Sequence, residues 1–258
     1  MCSGAQEEGA LRNCLGDINA AAERLGRLVS DPQAQECLGM LNRGVLRMLR
    51  LLQHRELIRR LTEGEALQPE GVVELGELCR RVCAESEGLL SHADIRLRVH
   101  TPEEEILVAG DEELLEYLLL LLLSNGAKAS GEGGGVSLSL RVEGKTARIA
   151  ILDGGRGPDC RALDLQRGEE HLLPDLRPQA GAGRGLALAR RIAAFHGGGI
   201  VMKLSPRSGG GVVVSLPLRE EPGAVQRGRI YLPESGYSRP LVELSELLPT
   251  HLFLEQPG

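Results

Sequence analysis

Three short segments of the chain combine polar side chains with glycine. The first, at 121–128, contains Asn125 and Lys128 late in a predicted helix. The amide oxygen of Asn125 can bind Mg²⁺, and the ammonium group of Lys128 can reach a phosphate. The alternative is that Asn125 ends the helix, with Gly126 following it. Taken alone, this segment favours the helix cap over the metal ligand.

The second segment is Asp153-Gly154-Gly155-Arg156-Gly157, which directly follows a predicted apolar strand at 147–152. A carboxylate at the end of a strand can accept hydrogen bonds from the exocyclic amino group of adenine. Gly155 and Gly157 would let the backbone come close to a base and its ribose. An ordinary turn after a strand has the same composition, so this pattern is also ambiguous on its own.

The third segment opens a predicted helix that runs to His196. Its candidate binding residues are Gly181, Gly183, Arg184, Gly185 and Leu186. Free backbone amides at a helix N-terminus can hold phosphate, and Arg184 can either clamp a phosphate or face solvent. A flexible lead-in loop is the alternative. The segment is not a dinucleotide-binding fingerprint, because no strand closely precedes it, and it lacks the Gly-Lys-Ser/Thr of a P-loop.

Strands and helices alternate in the part of the chain that must position these segments. The predicted strands are 95–99, 106–108, 136–142, 147–152, 200–204 and 211–218, and the predicted helices are 72–90, 111–130 and 183–196. This order predicts a mixed sheet with helices on one face, which is a two-layer α/β sandwich.

Residues 5–62 are predicted to form a helical hairpin, broken at Ser30-Asp31-Pro32, where Asp31 can cap the second helix. The predicted apolar faces consist of Leu11, Leu15, Ile18, Ala22, Leu25 and Val29 in the first helix and of Leu38, Leu41, Val45, Met48, Leu49, Leu52 and Leu61 in the second. One hairpin cannot bury both faces well. We therefore expect a homodimer that forms a four-helix bundle through residues 5–62.

Composition narrows the class of protein. The 258 residues are 42% hydrophobic and only 2% aromatic, so the core must be aliphatic. The net charge of −6 argues against a nucleic-acid partner. The longest apolar run, at 118–123, is far shorter than the ~20 residues of a membrane helix. With no signal-peptide pattern at the N-terminus and scattered cysteines, we expect a cytoplasmic protein with reduced thiols and no membrane partner.

Together, and followed by His196-Gly197-Gly198, the three segments resemble the GHKL superfamily of ATP-binding domains, and most of all the catalytic domain of sensor histidine kinases. Asn125 matches the second Asn of the N box. The two glycine boxes are matched by Asp153, Gly155 and Gly157 and by Gly181, Gly183, Gly185 and Leu186. The resemblance covers 70–218, while 5–62 resembles the dimerisation hairpin that precedes this domain in such kinases.

The resemblance implies an α+β protein: a helical hairpin followed by a Bergerat-type ATP-binding fold. It implies that Asp153 binds adenine, that Asn125 holds Mg²⁺, and that the second glycine box binds the phosphates of ATP. Residues 158–182 would form a mobile lid over the nucleotide. The implied activity is phosphoryl transfer to a protein in signal transduction, with a response regulator or a partner kinase as the other protein.

Two departures from the family pattern limit that activity. Asn13 occupies the position nearest to the usual phospho-accepting histidine, and its delocalised amide nitrogen is not a nucleophile. Leu121, one helical turn before Asn125, can neither activate water nor bind a metal. The alternative function is therefore a catalytically degenerate ATP-binding scaffold that docks on a kinase or response regulator.

Two further expectations concern residues outside these segments. His54, on the second hairpin helix, is expected to be a solvated surface residue. Residues 219–258 form a tail to which the sequence assigns no role, and we expect this tail to dock on the α/β domain.

Overall fold

The computed structural model describes residues 3–62, 71–154, 183–205, 209–219 and 237–253. The chain divides into two compact units: Met1–Leu57 with Tyr231–Gly258, and Ile58–Ile230. The division between the units falls inside the second long helix.

The first unit is built on two long helices, α1 (Ser3–Leu28) and α2 (Pro32–Thr62). Asp31 begins α2, because its Oδ2 accepts a hydrogen bond from the N–H of Ala34 at 2.9 Å. The predicted helical hairpin and its break are therefore confirmed. The cap satisfies one of the four amide groups that a helix start leaves without an internal partner.

The apolar residues of the hairpin fall into two strips. One strip is buried within the unit and includes Leu15, Ala22, Val45, Leu46 and Leu49. The other strip, here called the open seam, is 43–57% exposed and consists of Leu11, Ile18 and Leu25 of α1 and Leu41, Met48 and Leu51 of α2. The apolar face predicted for each helix is thus divided between the two strips, so that in α1, for example, Leu15 is buried and Ile18 stays exposed.

The C-terminal segment belongs to the hairpin unit. It contains α6 (Arg239–Leu244) and a 3₁₀ turn (Thr250–Phe253), and Ser238 caps α6 by accepting from the N–H of Leu241 at 3.3 Å. The expected docking on the α/β domain is thus wrong. So is the expected exposure of His54, whose side chain is only 12% exposed and lies 2.7 Å from Glu243.

The second unit contains the predicted mixed sheet. Its strands are β1 (Val72–Glu74), β2 (Arg96–His100), β3 (Leu107–Ala109), β4 (Gly135–Glu143), β5 (Thr146–Asp153), β6 (Gly199–Ser205) and β7 (Gly209–Pro217), and its helices are α3 (Leu75–His92), α4 (Glu112–Ser130) and α5 (Gly183–Phe195). The five-stranded sheet has the order β2-β4-β5-β7-β6, with β2 parallel to β4 and the other neighbours antiparallel. β1 and β3 form a separate antiparallel pair.

The helix predicted to begin at residue 72 begins three residues later, after the short strand β1. Glu74 explains the change, because its carboxylate caps α3 by accepting from the N–H groups of Gly76 and Glu77. The same carboxylate accepts from the N–H of Ile106 at 3.1 Å. One side chain therefore ends the strand, starts the helix and holds the neighbouring segment.

The core lies between α4 and the sheet. Its largest members on α4 are Leu114, Leu115 and Leu118 to Leu123, and the inward-facing strand residues include Val136, Leu138, Ile149, Ile151, Val214 and Leu216, all at most 2% exposed. α4 is apolar on every side because it is buried on every side. Within the described ranges, no helix combines the length and apolar character needed to span a membrane.

His196 links the end of α5 to the start of α4. Its Nδ1 lies 2.7 Å from the carbonyl oxygen of Ile192, and its Nε2 accepts from the N–H of Asp111 at 3.1 Å. An accepting Nε2 requires the neutral ring, protonated on Nδ1. Burial lowers the pKa of His196, and the Ile192 carbonyl and Asp111 oppose that shift only in part.

This link predicts a pH dependence of folding stability. The pKa of His196 in the folded protein lies below its unfolded value of about 6.5, so the unfolded chain binds the proton first as the pH falls. Stability is then fully present above about pH 7 and decreases below about pH 6.5. Urea unfolding of the wild type and a His196→Gln variant between pH 5 and 8 measures this. The difference between the two free energies of unfolding should shrink as the pH falls, and a difference that is constant with pH would contradict the assignment.

Candidate functional site

The N-terminus of α5 lies against the C-terminal half of α4. A Cβ atom placed on Gly185 would lie 3.7 Å from both Asn125 Oδ1 and Nδ2, and 3.6 Å from Leu121 Cδ2. The third glycine segment therefore meets the first, although 58 residues of sequence separate Asn125 from Gly183. Glycine leaves open the space beside the Asn125 amide that a larger side chain would fill.

Asn125 is half-buried inside α4, not at its end. The helix continues to Ser130, and Gly131 takes the C-cap position with a positive φ of 71°. The helix-cap alternative for Asn125 is therefore wrong. Gly126 next to it faces the sheet, where an added Cβ would lie 3.4 Å from Val136 and 3.5 Å from Ile151. This close approach brings Asn125 to the edge of the sheet at which β5 ends.

Asp153 is the last residue of β5, and it is only 9% exposed. Its Oδ1 accepts a hydrogen bond from the N–H of Gly210 at 3.1 Å, and a Cβ on Gly210 would lie 3.1 Å from its Oδ2. The carboxylate is thus held in one orientation by the neighbouring strand β7. Sequence reasoning missed the part of Gly210. The run Gly209-Gly210-Gly211 was the available signal, since three glycines in a strand favour a close approach to the backbone.

The remaining candidate residues are described to different extents. Lys128 is exposed in the last turn of α4, one turn beyond Asn125. Gly183 is the first residue of α5, so the first amides of that helix have no partner within it. Leu186 is half-buried in the same turn. Gly155, Gly157 and Gly181 lie outside the described residues, as do the predicted lid at 158–182 and the side chain of Arg184.

Leu121 gives the site its chemical limit. It is 1% exposed and packs beneath Gly185, one turn before Asn125. A hydrocarbon side chain at this position cannot accept a proton from water. The arrangement therefore provides an amide oxygen, a fixed carboxylate and helix N-terminal amides, which are groups able to bind and orient a ligand but not to activate water.

Comparison with known proteins shows what the second unit resembles. The family model described as histidine kinase-, DNA gyrase B- and HSP90-like ATPase matches residues 110–221. The sensor protein QseC of Escherichia coli K12 is 28% identical over 188 residues, which cover 72% of this chain and 41% of QseC. The sensor protein KdpD of Clostridium acetobutylicum is 26% identical over 74% of this chain and 21% of KdpD. The chain thus spans less than half the length of these curated relatives.

Solved structures show the same fold. Full-length ShkA, in complex with AMPPNP, aligns with a TM-score of 0.59 and 24% identity over 83% of this chain and 45% of ShkA. The histidine kinase AdeS of Acinetobacter baumannii aligns with a TM-score of 0.52 and 20% identity over 69% of this chain and 84% of AdeS. The predicted combination of an N-terminal helical region with a GHKL α/β sandwich is confirmed, whereas the four-helix bundle stays a prediction.

A substitution at Gly185, which contacts Asn125, should change ATP affinity without lowering the folding stability. In Gly185→Ala, the new Cβ makes ordinary contacts of 3.6–3.7 Å, so the protein should fold, and helix propensity favours alanine by about 1 kcal/mol. The methyl group nevertheless fills space beside Asn125. We expect an unchanged or higher melting temperature with roughly fivefold weaker ATP binding, which corresponds to one lost hydrogen bond of about 1 kcal/mol.

The matched control is Gly88→Ala in α3, where a Cβ meets no atom within 4 Å. It should raise stability and leave ATP binding unchanged. Calorimetric titration of ATP into the wild type and both variants measures the three affinities. Equal affinities of Gly185→Ala and Gly88→Ala would show that Gly185 does not border the nucleotide.

Proposed function

We propose that the chain acts as a member of the sensor histidine kinase group of the GHKL ATPase superfamily, and that it binds MgATP at the sheet edge where Asn125, Asp153 and the N-terminus of α5 lie. The proposed nucleotide-binding domain is 70–218. The proposal assigns adenine to Asp153, Mg²⁺ to Asn125, and the phosphates to the amides of the second glycine box. Lys128 and Arg184 would add positive charge near those phosphates.

One observation carries this proposal: Gly185 packs directly against the Asn125 amide. A triphosphate at the helix N-terminus would then lie next to an oxygen ligand for its Mg²⁺. The residues fit the group, because the missing side chain at Gly185 leaves room and Asp153 is already oriented by Gly210. The neighbouring structure of ShkA, which contains AMPPNP, supports the same ligand class.

We propose phosphoryl transfer to a protein as the activity. When bound, Mg²⁺ neutralises charge on the transferring phosphoryl group, and the protein contributes positioning. Asn13 lies exposed on α1 but offers no nucleophilic nitrogen. The phosphate acceptor in this proposal is therefore a second protein, such as a response regulator or a partner kinase. The free thiols of Cys14, Cys37, Cys79 and Cys83 agree with the reducing cytoplasm as the setting.

Asn13 and Leu121 favour a second candidate function. An ATP-binding scaffold without turnover needs the nucleotide site but neither an acceptor histidine nor a base. It would keep Asn125 and Asp153 for binding while its output came from docking on a kinase or response regulator.

Incubation with γ-labelled ATP and Mg²⁺ separates the two candidates. We expect no label on the chain itself, because Asn13 cannot accept it, and label on a response regulator or kinase partner that is added. Asp153→Asn serves as the binding-deficient control and Glu132→Gln, an exposed change of the same kind, as the matched one. ATP binding without label on any added partner would reject the kinase in favour of the scaffold.

We also propose that residues 5–62 form a homodimer through the open seam. Leu11, Ile18 and Leu25 recur at seven-residue intervals, as do Leu41 and Met48. This is the spacing of helices that pack in coiled-coil-like bundles. These large apolar side chains line one side of the helices and remain 43–57% exposed, which indicates a surface that packs against another pair of helices.

Charge placed in the open seam should dissociate the dimer. The double variant Ile18→Glu with Met48→Glu is expected to be monomeric by light scattering, because burying these carboxylates would cost more than the association provides. Arg27→Glu, an exposed change on the opposite side of α1 from Ile18, should stay dimeric. If both proteins have the mass of the wild type, the open seam is not the interface.

A further inference from the structure

The C-terminal segment Tyr237–Phe253, here called the strap, follows the outer side of α2. The Nδ2 of Asn42 donates to the carbonyl oxygen of Phe253 at 2.7 Å. Arg43 donates to the carbonyl oxygen of Leu248, and its guanidinium group lies 5.6 Å from the centroid of the Phe253 ring. These contacts fix the end of the strap through its backbone as well as through the ring of Phe253.

Two side-chain pairs, a hydrogen bond and an ion pair, fix the beginning of the strap. His54 Nε2 lies 2.7 Å from Glu243 Oε2, with side chains 12% and 5% exposed. Arg50 Nη1 lies 2.9 Å from Glu246 Oε2. Arg50 and His54 are four residues apart, which is one turn of α2, whereas Glu243 lies in the last turn of α6 and Glu246 follows the end of that helix. The pairs therefore set both the direction and the register of the strap on α2.

Near the C-terminal end of the strap, Gly39 of α2 packs closely against Thr250. A Cβ on Gly39 would lie 2.7 Å from both the carbonyl oxygen and Cγ2 of Thr250. Only glycine leaves space for the strap there. Tyr237 reaches α1: burial and the negative charge of Glu23 on α1 together raise the pKa of its phenol to about 12, against the opposing effect of Asn19 on the same helix. The strap thus contacts both helices of the hairpin.

We propose that this outer side of α2 is a docking surface for an acidic amphipathic segment, and that the chain fills it with its own strap as a releasable ligand. The surface offers basic groups at Arg43, Arg50 and His54 and an amide at Asn42. At Gly39 it offers a place where the strap backbone can approach closely. The strap contributes the complementary groups. These are the carboxylates of Glu243 and Glu246, buried apolar side chains, and the carbonyl oxygens of Leu248 and Phe253. Directional contacts of this kind recognise one sequence in one register, whereas apolar burial alone does not.

A consequence is that a second protein with an acidic amphipathic helix can bind the hairpin only after the strap has left. The hairpin then has two interaction surfaces with separate uses. The open seam suits a second copy of the chain, and the strap surface is occupied in cis. This inference does not involve the nucleotide site, so the two can fail independently.

The test keeps the whole chain and cuts it after folding. A protease site is inserted between Pro222 and Gly223, and the cleaved protein is mixed with a fluorescent synthetic peptide of residues 237–253. We expect the peptide to exchange into the cleaved protein and not into the uncleaved one. A peptide with Glu243→Lys and Glu246→Lys should bind at least about tenfold more weakly, since His54 loses its hydrogen-bond partner and Arg50 faces a second positive charge. A peptide with His251→Lys, at an exposed position, should bind like the original.

The hairpin side is tested with Gly39→Ala, whose Cβ would collide with Thr250, and with Gly44→Ala as the control, where a Cβ meets nothing within 4 Å. Cleaved Gly39→Ala should lose peptide binding and cleaved Gly44→Ala should keep it. Equal binding by all peptides or by both variants would overturn the proposal. So would unfolding of the hairpin when the strap dissociates, because the strap would then be part of the core and not a ligand.

Discussion

The close contact between α4 and α5 is the constraint on which the nucleotide-binding unit depends. The two helices run antiparallel and are joined at both ends. At one end the neutral ring of His196 accepts from the N–H of Asp111, which is also the N-cap of α4. At the other end Gly185 lies against Asn125. The contact between His196 and Asp111 fixes the position of α5 along the axis of α4. The contact between Gly185 and Asn125 then places the N-terminal amides of α5 beside Asn125.

The sheet adds the third group to this arrangement. Gly126 lets α4 approach Val136 and Ile151 closely, and Asp153 ends the same strand that carries Ile151. Gly210 on β7 then orients the Asp153 carboxylate. Four local conditions, three of them glycines, therefore place an amide, a carboxylate and a helix start at one edge of the fold. Leu121 lies within the same arrangement and provides packing instead of chemistry.

Much of this could be predicted from the sequence. The alternation of apolar residues predicted the five strands of the main sheet, and the glycine-rich segment before residue 186 predicted the start of α5. The sequence could not reveal the contact of Gly210 with Asp153, since strand pairing between β5 and β7 depends on tertiary structure. The strand β1 was missed because its pairing with β3 and the hydrogen bond from Ile106 to Glu74 both depend on tertiary structure.

The hairpin shows why some expectations failed. Periodicity identifies which residues are apolar and where they repeat, but not which of two apolar strips is covered. Here the strap covers the side of α2 that carries His54, so a histidine in a basic helix became a buried partner of Glu243. A contact between residues 189 positions apart in the sequence leaves no local signal.

The central claim is that Asp153 and the neighbouring glycine helix bind ATP, and calorimetric titration of MgATP into the wild type and Asp153→Asn tests it most directly. The asparagine keeps an oxygen that can accept from Gly210, so the fold should survive, but it loses the charge that we assign to the adenine amino group. A hydrogen bond to a charged group contributes about 1.5–3 kcal/mol, which predicts binding at least about tenfold weaker than in the wild type. Equal affinity in the two proteins, or no binding to the wild type, would contradict the account.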